Sequence, residues 1–143
     1  MRGLILHCRE FRFRDVEKST KPSGISAVVR GQNMGEGRYQ HRVVILACIE
    51  EGDTEEIINK AGEHILHMAD EWHSGNRDIL ILPFAHLSRN IASPNTANEL
   101  IQLLTGYLKE RAGSAELITF GTHKEVMYDV YGYPRATSYF QFP

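Results

Sequence analysis

The chain has 143 residues, 42% of them hydrophobic, and 16 basic against 18 acidic side chains give it a formal charge of −2. That length supports one domain with a real core and excludes two ordinary ones, and that charge excludes a global basic field of the kind that grips a long nucleic-acid backbone. Any nucleic-acid contact is therefore expected to be local.

The opening run Gly3-Leu4-Ile5-Leu6 is cut off by His7, Arg9 and Glu10, too short for a signal peptide or a membrane span, which predicts a soluble cytoplasmic protein. Gly3 to Cys8 reads as a buried strand. Phe11 to Arg14 alternates with period two and reads as its half-exposed hairpin partner. Ser19 to Arg42 is rich in Gly, Ser, Lys and Arg and reads mostly as a mobile connection; Gly31, Gly35 and Gly37 lack phosphate-cradling spacing. Arg42 to Ile49 is a strongly apolar strand. Asp53 then predicts a cap, with Glu56 three residues on, for a helix carrying Ile57, Ala61, Ile65, Met68 and Trp72 on one face and ended by Gly75.

Ile79 to Leu82 is a second apolar strand. It stops at Pro83, which has no N–H to give a central ladder, so the groups after it are free to bind something else. Ser93-Pro94 caps a second amphipathic helix through Ala97, Leu100, Ile101, Leu104 and Leu108 that stops at Gly113. Leu117 to Phe120 reads as a strand broken by Gly121; Val126, Tyr128 and Val130 alternate on another, and Ala136 to Phe142 can add an edge. The order ββ-loop-β-α-β-α-ββ predicts one α+β domain over residues 1–143, a mixed sheet carrying two amphipathic helices.

Three groups of residues bear on chemistry. His64, His67 and His73 could chelate a metal from one helix, but the spacing lacks the His-Glu-x-x-His pattern and no further ligand has an obvious place, so they read as solvated helix histidines and no metal is expected. Lys124 follows the glycine break with His123 beside it; it is either one more surface ammonium or a cleft group tuned by desolvation and a neighbouring imidazole. His86, at the end of the Pro83 strand, is either a site edge or a histidine bonded to a neighbour. Conventional nucleophile triads are absent: Ser88 lies in no nucleophile elbow, and Cys8 and Cys48, outside paired-cysteine zinc spacing, predict free thiols in a reducing compartment.

Jointly, Pro83-Phe84-Ala85-His86-Leu87-Ser88 and Phe120-Gly121 with Lys124, together with the opening Gly3 to His7, Leu108-Lys109-Glu110-Arg111 and Gly132-x-Pro134, resemble the N-terminal editing domain of archaeal-type threonyl-tRNA synthetases. That domain is similar in fold to D-aminoacyl-tRNA deacylases. The resemblance runs from one end of the chain to the other. It implies a proofreading hydrolase that cleaves serine from tRNA(Thr) and spares threonine, without a cofactor. A synthetic site cannot finish that discrimination alone, since one methyl is worth only about 1–3 kcal/mol.

Carried onto this sequence, the resemblance places His86, Lys124 and His123 around the scissile ester and its attacking water, with Phe120 and Gly121 as the adjoining wall. Ile49, Glu50, Pro83, Phe84 and Ala85 fall where the terminal adenosine is held, and His7 would support the floor. The 2′-hydroxyl of that adenosine would help activate the water. It also implies a homodimer, acting within or beside the synthetase's catalytic core. Two departures stand out: His123 replaces a frequent tyrosine, and Thr137 replaces a glutamate. The rival expectations are a D-aminoacyl-tRNA deacylase and a non-catalytic module that grips the tRNA 3′ end.

Overall fold

A computed structural model describes all 143 residues. In chain order the elements are β1 (Arg2–Lys18), α1 (Ile25–Val29), β2 (Glu36–Cys48), α2 (Glu55–Trp72), β3 (Asp78–Pro83), a 3₁₀ turn (Ala85–Leu87), α3 (Pro94–Ala112), β4 (Ser114–Leu117), β5 (Thr122–Val130) and β6 (Thr137–Gln141). The sheet is mixed, in the order β4-β3-β2-β1-β5, and β6 shares the β5 edge of β1. β6 pairs with residues 2–6 of β1 and β5 with residues 8–18. The steps β2 to β3 and β3 to β4 are parallel and are crossed by α2 and α3.

The apolar runs of β2 and β3 are continuous because both faces are buried. Val43, Ile45, Ile79 and Ile81 face the helices, with Ile58, Ile65 and Met68 of α2 and Ile101, Leu104 and Leu108 of α3. Val44, Leu46, Leu80 and Leu82 face the other way, with Leu6, Cys8, Phe11 and Phe13, and are met there by Val126 and Tyr128 of β5. No helix covers this second layer. For β5 to reach β3 across two intervening strands, the sheet must curl on itself, as the twist of long strands favours.

The expected α+β class and mixed sheet are present, with four local corrections. β1 is one strand of 17 residues, not a hairpin; the register shift between Cys8 and Glu10 is a bulge that absorbs one residue and keeps the inward alternation in phase. The segment expected as a loop holds α1 and the first half of β2, whose outward residues Glu36, Arg38 and Gln40 are polar because that stretch has a solvated face, so there are three helices rather than two. β4 ends at Leu117, leaving Ile118 to Phe120 as irregular backbone. Thr54, not Asp53, caps α2, accepting from the Ile57 N–H; Asp53 instead accepts from the Glu50 N–H and the Met1 ammonium.

Two of the glycines fixed by close contact lie against the helices. A Cβ on Gly62 would sit 2.4 Å from the Tyr107 ring, where α2 and α3 cross. Gly121 has φ +75°, and a Cβ there would lie 2.2 Å from Val29 Cγ1 of α1. Gly121→Ala combines a left-handed backbone with overpacking against a stiff valine and is expected to destabilise by about 1–3 kcal/mol. The shift of the urea midpoint measures it; a midpoint within error of wild type would contradict the packing described.

Candidate active site

A cleft of about 860 Å³ opens at the carboxyl ends of β2 and β3, the place where open α/β sheets ordinarily bind ligands. Ala47, Ile49, Leu82 and Pro83 form its floor, and α3 contributes Pro94, Ala97 and Ile101. The opposite wall is β5. Its alternation points Thr122, Lys124, Val126 and Tyr128 into the cleft. Phe120 and Gly121 close one end, and the Ser19 N–H donates to the Gly121 carbonyl at 2.8 Å, fastening the rim segment that carries Lys21.

Pro83 is the last ladder residue of β3, opposite Ala47, and the Phe84 N–H then donates to the Ala47 carbonyl at 2.9 Å. The chain turns at once into the 3₁₀ segment, which holds Ala85 and His86 out toward solvent. The His86 imidazole stands edge-on to the Phe84 ring at 5.3 Å. The end of this turn is tied down by Ser88 Oγ, which donates to Glu50 Oε2 at 2.6 Å. Glu50 also meets Arg2 Nε and the Met1 ammonium, each at 3.2 Å. Burial raises its pKa, but the Ser88 bond and those cations outweigh it, holding the carboxyl below the usual range.

Lys124 is the most constrained polar group of the cleft. Its ammonium donates to Asp15 Oδ1 at 2.8 Å, to the Thr119 carbonyl at 2.6 Å and to Thr122 Oγ1. All three donors are used. The side chains of Lys124 and Asp15 are 8% and 0% exposed. Asp15 also accepts from Thr122 Oγ1 at 2.6 Å and from the Gly35 N–H at 2.8 Å. Burial pushes the Lys124 pKa down despite its carboxylate partner. Burial alone would raise that of Asp15, yet the bonds from Lys124, Thr122 and Gly35 hold it below the usual carboxylate value.

Of the residues implicated by sequence, Ile49, Pro83, Phe84, Ala85, His86, Phe120, Gly121, His123 and Lys124 all line this one cleft. Glu50 stands behind its rim. His123 is exposed, between two inward-pointing neighbours, so the group that tunes Lys124 is the Asp15 carboxylate and not the His123 imidazole. His7 and Thr137 do not line the cleft. His7 is bonded to Tyr133 and Asn76, and Thr137 pairs with Leu6 at the start of β6. His73, expected to be solvated, is fully buried, and His64 packs against Phe140 and Phe142; only His67 is exposed, and no group of His, Cys, Asp or Glu side chains is placed to hold a metal ion.

Asp15 is the residue that the sequence reading missed. It occupies an inward slot of β1 after Phe11 and Phe13, while Val16 beside it is 50% exposed. A carboxylate on the apolar phase of a strand was the available signal. The cleft's lining contains no carboxylate at all, and its fixed cations are Lys21 and Lys124. Such a cavity can accept an anionic or ester-bearing ligand and position water, but it holds no acidic general base.

Residues 1–141 match the family described as the Archaea-specific editing domain of threonyl-tRNA synthetase. The threonine-tRNA ligase of Staphylothermus marinus is 34% identical over 139 residues, covering 94% of this chain and 21% of the ligase. A threonine-tRNA ligase editing subunit of Saccharolobus solfataricus is 28% identical over 131 residues, covering 92% of this chain and 32% of the subunit. The chain thus spans a fifth to a third of these relatives. Among solved structures, a c-Myc DNA unwinding element binding protein superposes with TM-score 0.71 over 100% of this chain and 99% of its own. A probable eukaryotic D-amino acid tRNA deacylase does so with TM-score 0.63 over 97% of each chain; both are 12% identical, a likeness of fold. With the family match running from Met1 to Gln141, the chain belongs to the Archaea-specific editing domains of threonyl-tRNA synthetase.

Proposed function

We propose that this domain hydrolyses the ester joining serine to the terminal adenosine of tRNA(Thr) and leaves the threonyl ester intact. The single observation that carries the reading is the cleft itself: a cation-bearing cavity between the Pro83–His86 turn and the Phe120–Lys124 break, lined by no carboxylate. Water adds to the ester carbonyl, the acyl C–O bond breaks, and the 3′-oxygen leaves with a proton, giving serine and free tRNA. With no acidic base in the lining, the adenosine 2′-hydroxyl orients and activates the water. The protein supplies orientation and charge stabilisation, which can account for large rate effects without a side-chain base.

In this reading Lys124 exchanges its bond to the Thr122 hydroxyl for the developing oxyanion, while Asp15 keeps the ammonium in place. Backbone groups of Pro83 to Ala85 and of Ile49 hold the adenosine, and His86 borders the attacking water. Thr137 lies off the cleft, so the missing family glutamate leaves this constellation intact. The domain acts with the synthetase's catalytic core, in the same chain or in trans, as a homodimer. Seryl-adenosine esters provide the test. Serine release is expected from the ribose ester and is expected to fall at least a hundredfold with 2′-deoxyadenosine; equal rates would exclude the 2′-hydroxyl from the mechanism. Equal or faster release of D-serine would favour the deacylase reading.

A further inference from the structure

A second surface lies at the other end of the β2–β3 pair, about 17–20 Å from the cleft at the rise of an extended strand. All three non-glycine residues with left-handed backbone are there: His41 (φ 52°), Ser74 (φ 56°) and Arg135 (φ 65°). Each has a local cause: Ser74 follows the end of α2, Arg135 is the third residue of a turn closed by the Ala136 N–H donating to the Tyr133 carbonyl at 3.1 Å, and His41 stands between paired neighbours opposite the bulge in β1. A polar hub links two of them. Asn76 Nδ2 donates to the His41 carbonyl at 2.9 Å and lies 3.1 Å from His7 Nε2. The buried His73 ring, 5.1 Å from that of His7, donates from Nε2 to the Arg135 carbonyl at 3.0 Å.

What this hub displays is a row of aromatic rings and cations. Trp72, the only tryptophan of the chain, was expected on the buried face of α2 but is 40% exposed. The Arg135 guanidinium lies 4.5 Å from its ring centroid, and Arg135 forms no ion pair within the chain. Tyr131 has the Arg9 guanidinium 4.8 Å from its centroid and the His41 ring nearly parallel at 14°. Arg9 is paired with Asp129 at 3.0 Å, but both side chains are exposed and such pairs exchange readily.

We propose that this surface binds a single-stranded segment of RNA, with a base stacked on Trp72 and phosphates paired with Arg135 and Arg9. Charge complementarity selects the occupant. Trp72 and Tyr131 each carry a guanidinium, the arrangement that single-stranded nucleic acid uses and that an apolar protein partner would not favour. The proposal goes beyond the hydrolytic reading and does not depend on it, since the cleft plays no part.

Trp72 is its own reporter. Titration with a short oligouridylate, blocked by a 3′-phosphate, is expected to quench the tryptophan emission saturably. In Arg9→Ala/Arg135→Asn, asparagine keeping the left-handed position tolerable, affinity is expected to fall about tenfold and the slope of log affinity against log salt to shrink by about 1.4, as two lost phosphate contacts require. Arg9→Ala alone, at an exposed bulge, should give part of both effects. Absence of saturable quenching, or an unchanged affinity in both arginine variants, would overturn the proposal. So would self-association lost on Trp72→Ala, which would assign the surface to a second copy of the chain.

Discussion

Lys124→Met is expected to reduce seryl-ester hydrolysis below detection and to destabilise the fold by about 3–5 kcal/mol, the cost of leaving a buried carboxylate without its counter-ion. The size follows from geometry: Asp15 is completely enclosed, and Lys124 supplies its only cation. Methionine preserves the length of the side chain but cannot donate to Asp15, the Thr119 carbonyl or Thr122. Structural and chemical roles separate in a double variant. Asp15→Leu/Lys124→Met removes both charges and should recover most of the lost stability, since a buried ion pair replaced by apolar groups is often neutral or better. Hydrolysis should stay absent. Denaturant midpoints and serine release measured on the same three proteins decide it; a stable double variant with full activity would show that the lysine serves the fold alone.

The second large effect concerns acid. His7 is 7% exposed, and Asn76, whose other amide hydrogen serves the His41 carbonyl, donates to its Nε2, leaving Nδ1–H to face Tyr133. A proton on Nε2 would confront the Asn76 amide. Burial, with His73 and His41 nearby, lowers the pKa from 6.5 to about 4. The unfolded chain therefore takes up a proton below pH 6.5 that the folded chain refuses until about 4, so stability falls as pH drops through that window. At roughly 1.4 kcal/mol per pH unit the loss is about 3 kcal/mol. His73, lowered chiefly by burial, adds in the same direction. Asp15, held below the usual carboxylate value, loses its contribution only at still lower pH. Urea midpoints between pH 7 and 4 should fall for the wild type and flatten in His7→Gln; superimposable profiles would contradict the neutral hub.

The long apolar runs were legible because β2 and β3 bury both faces, and Pro83 and Gly121 marked the cleft's two edges because each breaks a strand by a local rule. The unity of β1 was hidden by the polar bulge at Arg9, which looks like a turn when the pairing on either side is unknown. The first half of β2 was hidden for a related reason. Glu36, Arg38 and Gln40 face solvent, and only cross-strand pairing with β1 makes that stretch a strand. Within the site, Lys124 could be found from the glycine break, but not its partner. Asp15 lies 109 residues away in sequence, and local periodicity says only that a carboxylate points inward. His7 was misplaced because the opening motif was carried over without the topology that puts it at the amino end of β3, on the hub beneath Trp72 and Tyr131.

Selective editing is tested most directly by incubating the purified domain with matched seryl-tRNA(Thr) and threonyl-tRNA(Thr) and following release of each amino acid. The proposed function predicts rapid loss of serine, with threonyl-tRNA(Thr) surviving at least a hundredfold longer. Equal cleavage of the two, or none of either, would contradict the account.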